Sequence, residues 1–318
     1  MGGTPLGWAT ANGHEEVVKI LLAQDDIDPN KPDNRGKTPL SWAVQCGHEA
    51  LVKLLLGRDD IDHNKPDNRG RTPLWWAAEG GHEAIVNLLL GRDDIDLNRP
   101  DIEGRTPLWW AVQHGHEALV KTLLGENINL DDPDGYGRIL LSLAAYNGRE
   151  GVVKLLLERD DIVPNKPDNR GRTSLSWAAQ EGHEAIVKLL LGRDDIDPNR
   201  PDNEGRTPLW WAAQRGHEAM VKILLGQNID PDIPDEHGRT PLSRAAAKGH
   251  EGVVKLLLER DDVSPDKLDN SRQRPISYAF KNGHTRVVAL LRPRTVFADS
   301  SQSPKRGHTR YLRPILDE

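Results

Sequence analysis

The chain is short of cysteine, of long apolar runs and of net positive charge, and each shortage removes a class of function. Cys46 is the single cysteine among 318 residues. No disulfide framework therefore exists within the chain, and a reducing compartment, cytoplasm or nucleus, fits best. No apolar stretch approaches the ~18 residues that a membrane span requires. The opening Met1-Gly2-Gly3-Thr4-Pro5-Leu6 has no basic region followed by an apolar core, so it is not a secretory signal. Leu6 also stands where the myristoylation motif wants Ser or Thr. The net charge of -7 suits a soluble protein that repels itself mildly. It makes a monomer the expected state and argues against broad nucleic-acid binding.

What the chain has in quantity is itself. The phrase Gly-x-Thr-Pro-Leu recurs at Gly36–Leu40, Gly70–Leu74, Gly104–Leu108, Gly205–Leu209 and Gly238–Leu242, with Gly3–Leu6 as a shortened first copy. Degraded copies stand at Gly137–Leu141, Gly171–Leu175 and Arg274–Ile276, and the interval is 33 or 34 residues. A fixed period of this size marks a solenoid, in which each unit buries its apolar face against its neighbours. Within one unit, Thr72 is placed to cap a helix with Pro73 in its first turn. That helix stops at Gly80-Gly81. A second helix, Glu83 to Leu90, has a broad apolar face and ends before Gly91. The turn-rich remainder up to Gly104 reads as an extended loop or short hairpin.

Helix, glycine turn, helix and projecting hairpin together resemble the ankyrin repeat. Thr207 to His217 and Val221 to Leu225 match the family pattern closely, and the resemblance covers residues 3 to about 291. It implies an all-α repeat solenoid of stacked helix-turn-helix units with projecting β-hairpin loops, spanning residues 1–292. Serine or tryptophan replaces the family's first-helix histidine, and Arg-Asp-Asp (Arg58–Asp60, Arg193–Asp195) replaces Gly-Ala-Asp. Fungal ankyrin proteins look similar in both respects. Residues 293–318, rich in Pro, Ser, Arg and Lys, are expected to be a disordered tail.

A second period overlies the first. Gly36 to Gly137 and Gly137 to Gly238 are both 101 residues, so a block of three units is duplicated. The fifth unit is the expected weak joint. Ile139 and Leu140 replace its Thr-Pro start, and Arg149 stands where other units carry a histidine after the turn glycine. Those histidines, from His14 to His284, occupy one constant place, which implies one constant structural role, a bond to backbone between units. None of the remaining histidines has a partner at metal-ligand spacing, and no cofactor or metal is expected.

All nine tryptophans fall in the first helices. Trp8, Trp42, Trp76, Trp110, Trp177 and Trp211 lie two residues after the repeat leucine, at a position that the family resemblance points toward a concave groove. They predict a discontinuous ladder, too widely spaced for direct stacking and interrupted at Leu143, Arg244 and Tyr278. Trp75, Trp109 and Trp210 are expected to cover the seams between units instead. Beside the ladder run Lys37, Arg71, Arg105, Arg138, Arg172, Arg206 and Arg239. Two readings of this row stand open. It contacts an acidic peptide with cation–π support, or it pairs with the equally regular Asp33, Asp67, Asp101, Asp168 and Asp202.

The expected function is a non-enzymatic scaffold that binds an extended or curved protein partner, acidic or compatible with aromatic contacts, in the tryptophan-lined groove, with no nucleic acid and no membrane. Two alternatives are a small-molecule or catalytic groove and a detached recognition array of a larger sensor. Catalysis would have to draw on Glu79, His114, Glu181, Cys46 and Arg215. These fall in different units about 10 Å apart, beyond the ~3 Å reach of direct proton transfer.

Overall fold

The structure, a computed structural model, describes residues 3–130 and 133–294. Among them the helices form nine pairs. The first helices are Pro5–Ala11, Pro39–Gln45, Pro73–Gly80, Pro107–His114, Leu140–Tyr146, Ser174–Glu181, Pro208–Arg215, Pro241–Lys248 and Pro275–Lys281. The second helices are Glu15–Leu22, Glu49–Leu56, Glu83–Leu90, Glu117–Leu124, Glu150–Leu157, Glu184–Leu191, Glu218–Leu225, Glu251–Leu258 and Thr285–Leu291. Each first helix packs on the first helices before and after it, and each second helix on its own equivalents. The core is one continuous apolar seam of Leu, Val, Ile and Ala along the array. Beyond Leu291 a single 3₁₀ turn, Arg292–Arg294, returns Arg294 to the Leu258 carbonyl. The tail expected to be disordered lies, from residue 295, outside the described residues.

The local signals act as the residue types predict. Thr72 Oγ accepts from the Trp75 N–H at 3.2 Å, and Thr38, Thr106, Thr173, Thr207 and Thr240 cap in the same way. Gly81 ends its helix at φ 69, a left-handed conformation that L side chains rarely adopt.

The projecting arm differs from a β-hairpin: no strand occurs among the described residues. In the third unit the arm closes on two backbone bonds, Asp67 N–H to the Arg71 carbonyl at 3.0 Å and Gly70 N–H to the Asp67 carbonyl at 2.9 Å. The Asp67 carboxylate then accepts from the N–H groups of Arg69 and Arg71. Side-chain oxygen thus takes the donors that a second strand would have needed.

Backbone bonds run from arm to arm, as from Asn68 N–H to the Arg35 carbonyl, and three sets of side-chain bonds also join the units. His48, His82, His116, His183, His217, His250 and His284 each place Nε2 3.0–3.4 Å from a carbonyl of the preceding first-helix region. The Arg-Asp-Asp motif supplies a second set. Arg58, Arg159, Arg193 and Arg260 pair with the second aspartate of their own motif. The same guanidiniums donate to the terminal carbonyls of Leu22, Leu124, Leu157 and Leu225 in the preceding unit. The arginine therefore caps a neighbouring helix end that would otherwise keep orphan carbonyls. Asparagines make the third set, as where Asn64 accepts from Asp96 N–H and donates to the Asp94 carbonyl.

The fifth unit lacks the side-chain cap at Ile139, but its link to the fourth unit survives. Arg149 Nε donates to the Gln113 carbonyl at 3.1 Å, in the place of the histidine. Ile139, Leu140, Leu141 and Leu143 are buried, so the unit substitutes apolar burial for polar capping.

Candidate protein-binding groove

Stacking nine first helices in one register brings their ladder positions into a row. The row is not uniform. Trp8 is 52% exposed, Trp42, Trp110 and Trp211 are partly exposed, and Trp76 and Trp177 are buried at 5% and 6%. Of the six rings expected to point into the groove, Trp76 and Trp177 are therefore covered instead. Cations from the arms close over the two buried rings: Lys37 and Arg71 lie 3.6 and 4.1 Å from the Trp76 centroid, and Arg172 lies 3.4 Å from that of Trp177.

Trp75, Trp109 and Trp210 are buried at the seams. Trp75 meets Trp76 at 4.9 Å and, across the unit boundary, Trp110 at 4.8 Å; Trp109 meets Trp110 at 5.1 Å. Although no two of the six ladder rings touch directly, four indoles of the third and fourth units thus form one connected cluster. The Trp75 Nε1–H donates to Asp101 of the next unit at 3.2 Å. Elsewhere, the ladder ring uses the equivalent aspartate of its own unit: Trp42 with Asp33, Trp177 with Asp168 and Trp211 with Asp202. Trp110, whose place is taken by Trp75, keeps an unpartnered buried Nε1, as do Trp76 and Trp109.

The arm cations do not form a free positive row. Arg71, Arg105, Arg138, Arg172, Arg206 and Arg239 pair with Asp67, Asp101, Asp134, Asp168, Asp202 and Asp235 at 2.7–3.4 Å. The carboxylates are almost wholly buried, and they also accept backbone N–H groups in their turns, so each pair fixes the arm. Arg105 and Arg206 rest on Trp110 and Trp211 at 4.7 and 4.3 Å. Arg138 lies instead near Tyr136 and Trp109.

Lys37 departs from this pattern. Its ammonium lies 4.2 Å from Trp42 and 3.6 Å from Trp76 and donates to Gln45, while Asp33 receives the Trp42 indole. Burial, assisted by the Arg71 charge, pushes its pKa down to about 8 against the opposing pull of Asp67 and Asp33.

The groove residues considered for catalysis are not brought together. His114 stacks on Trp110 at 5.5 Å, Glu181 accepts from Gln180, and Cys46 and Arg215 are exposed. Among the described residues no hydrogen bond joins any two of Glu79, His114, Glu181, Cys46 and Arg215, and no group of three His, Cys, Asp or Glu is arranged to hold a metal. No helix among them is long and apolar enough to cross a membrane.

A family model described as ankyrin repeats, three copies, matches residues 1–67, 59–134, 120–202, 195–269 and 234–302. The chain belongs to the ankyrin repeat family. Ankyrin repeats generally mediate protein–protein interaction, and proteins built from them are generally non-enzymatic scaffolds. The match identifies the family without distinguishing a fungal subgroup. No curated protein matches the chain by sequence.

Two features of this ankyrin groove escaped sequence reasoning. The seam position of Trp75 was legible but its bond to Asp101 was not, since of the three seam indoles Trp75 and Trp210 find an N–H partner in the next unit and Trp109 finds none. Arg244 had a legible signal. Its unit's arm aspartate, Asp235, is claimed by Arg239, which leaves a second guanidinium without an acid of its own.

Proposed function

We propose that this ankyrin array is a scaffold whose first-helix and arm face binds an extended segment of a protein partner, with Trp42, Trp110 and Trp211 as its principal contacts. The observation that carries this reading is their preparation. These rings are partly exposed, stand in one register and rest against arm cations. Trp42 and Trp211 are also tied by their indole N–H to Asp33 and to the buried Asp202. Rings already held in place lose little side-chain freedom on binding, and tryptophan is enriched among residues that dominate interfaces. Trp76 and Trp177 with their covering cations support the face from beneath, and the paired arm arginines frame it. A nine-unit array spans roughly 90 Å at the usual helix-packing distance, a length that suits an extended or curved surface. A monomer in the cytoplasm or nucleus fits this role.

The test combines Trp42→Ala with Trp110→Ala in the full chain. Partner is captured from the native cell, its contacts are mapped by cross-linking, and folding is checked by circular dichroism. Truncating a dominant ring costs about 2 kcal/mol or more, so capture should fall well over tenfold while helicity persists. Unchanged capture by a folded double variant would place the interface elsewhere.

A further inference from the structure

Charge divides the concave face into two unlike parts. The first six first helices contain no Lys or Arg; apart from His114 and Tyr146, their ionisable side chains are Glu79 and Glu181. The last three, Pro208–Arg215, Pro241–Lys248 and Pro275–Lys281, contain Arg215, Arg244, Lys248 and Lys281 and no Asp or Glu. This concentration occurs in a chain whose net charge is -7. Arg215, Lys248 and Lys281 are exposed, and none forms an ion pair among the described residues.

Arg244 is the centre of this lane. It takes the ladder position of the eighth unit, where an indole would stand, and lies 5.1 Å from the ring centroid of Trp210. Its Nε donates to Gln214 Oε1 at 2.6 Å, and no carboxylate pairs with its guanidinium. Asp235, the acid of its own unit, is engaged by the Nε and Nη2 of Arg239 and by two backbone N–H groups. Arg71, Arg105, Arg138, Arg172, Arg206 and Arg239 each have such a partner; Arg244 has a glutamine. Burial and the nearby Arg239 charge disfavour its charged form, so an arriving carboxylate would compensate a guanidinium that is already desolvated. Trp211 is partly exposed beside it, and Phe280 is 76% exposed at the end of the lane.

We propose that this lane binds an acidic segment of a protein partner, with one carboxylate on the Nη groups of Arg244 and neighbouring acids on Arg215, Lys248 and Lys281. The inference rests on the groove reading above and names the partner's chemistry. Units follow one another at about 10 Å, and a chain extended as polyproline II advances ~3.1 Å per residue with three residues per turn, so every third side chain returns to one face. An acid at every third residue therefore meets successive units. A polyphosphate strand is disfavoured because its charges recur closely along its whole length, whereas the lane offers four cations in a chain whose net charge is -7.

The experiment measures fluorescence anisotropy of a labelled peptide repeating Glu-Leu-Gly with the full chain, beside its Gln-Leu-Gly counterpart and a labelled single-stranded oligonucleotide. The glutamate peptide should bind in a salt-sensitive way, and the glutamine peptide should not. Arg244→Gln should weaken binding about tenfold or more, and Arg244→Lys should restore part of it. The exposed pair Lys248→Gln with Lys281→Gln should weaken it less, and it decides the matter if Arg244→Gln fails to fold. Absence of binding, equal binding of both peptides, or indifference to these variants would overturn the proposal. So would tighter binding of the oligonucleotide with the same dependence on Arg244, which would assign the lane to nucleic acid. If the peptide fails while capture still depends on Trp42 and Trp110, the acidic lane falls and the groove stands. If the peptide binds while capture ignores those rings, the groove reading falls.

Discussion

The third and fourth units and the last three units share one backbone plan and use it in opposite ways. Both carry apolar second helices, glycine turns and histidines bonded to the preceding unit. In the third and fourth, the variable first-helix positions hold Trp75, Trp76, Trp109 and Trp110, which join into a single aromatic cluster. In the last three, the seventh unit keeps the pair Trp210 and Trp211, and the variable positions add Arg215, Arg244, Lys248 and Lys281. The repeated residues hold the stack together, so the others are free to diverge, and the divergence has produced a hard aromatic segment and a wet cationic one. The aromatic segment leaves three buried indole N–H groups unpartnered. Such groups are costly, and the ring area buried around them has to offset that cost.

The largest effect should come from breaking the cluster. Trp75→Ala removes ring contacts to Trp76 and Trp110 and the bond to Asp101, with an expected cost of about 3–5 kcal/mol. Arg244→Ala, at a partly exposed site without an ion pair, should cost less than about 1 kcal/mol. Urea unfolding followed by circular dichroism and tryptophan fluorescence compares them. Equal costs would mean that the aromatic segment is no more tightly built than the cationic one.

Lys37 sharpens the comparison, because it is a cation buried at the edge of the aromatic segment. Its pKa is about 8 in the fold against an ordinary 10.5. Between those values the unfolded chain binds more protons than the folded one, so this group makes stability rise with pH across that window. Below about pH 8 the charged form is present in both states and the penalty is complete. The two indole faces offset part of it, leaving on the order of 1–2 kcal/mol. The melting-temperature difference between wild type and Lys37→Met should therefore shift in favour of wild type from pH 7.5 to pH 10. A constant difference would show that Lys37 does not titrate there.

The smallest effect concerns the fifth unit, which lies between the two segments. It has no threonine cap, yet it keeps its inter-unit bond through Arg149 and buries four large aliphatic residues near its first-helix start. Hydrogen exchange should still find the lowest internal protection between Gly137 and Leu157, by a modest margin. Uniform protection from residue 104 to 205 would show that apolar burial replaces the cap in full.

Much of this was legible from residue types because the information is local and repeated. Thr72, Pro73, Gly81 and Gly91 act through their own backbone neighbourhood, and repetition multiplied a weak signal until it was decisive. The groove was less legible. That Trp8 would stand open and Trp76 would be covered depends on Lys37 and Arg71 arriving from two different arms. The β-hairpin expected in the arm was replaced by a turn because the Asp67 carboxylate competes for the same N–H donors, a contest that spacing alone does not show.

Residue types read along the chain are enough for the period, the paired helices, their caps and turns and the seam of Leu, Val and Ala, since each follows from preferences acting within a few residues. They also place every tryptophan on a first helix. Stacking set which indoles stay exposed, which arginines remain without an acid, and that Arg-Asp-Asp caps the helix of the unit before. Those outcomes depend on distances between residues some 30 to 37 positions apart. Stacking creates such contacts between neighbouring units, and a single unit does not contain them.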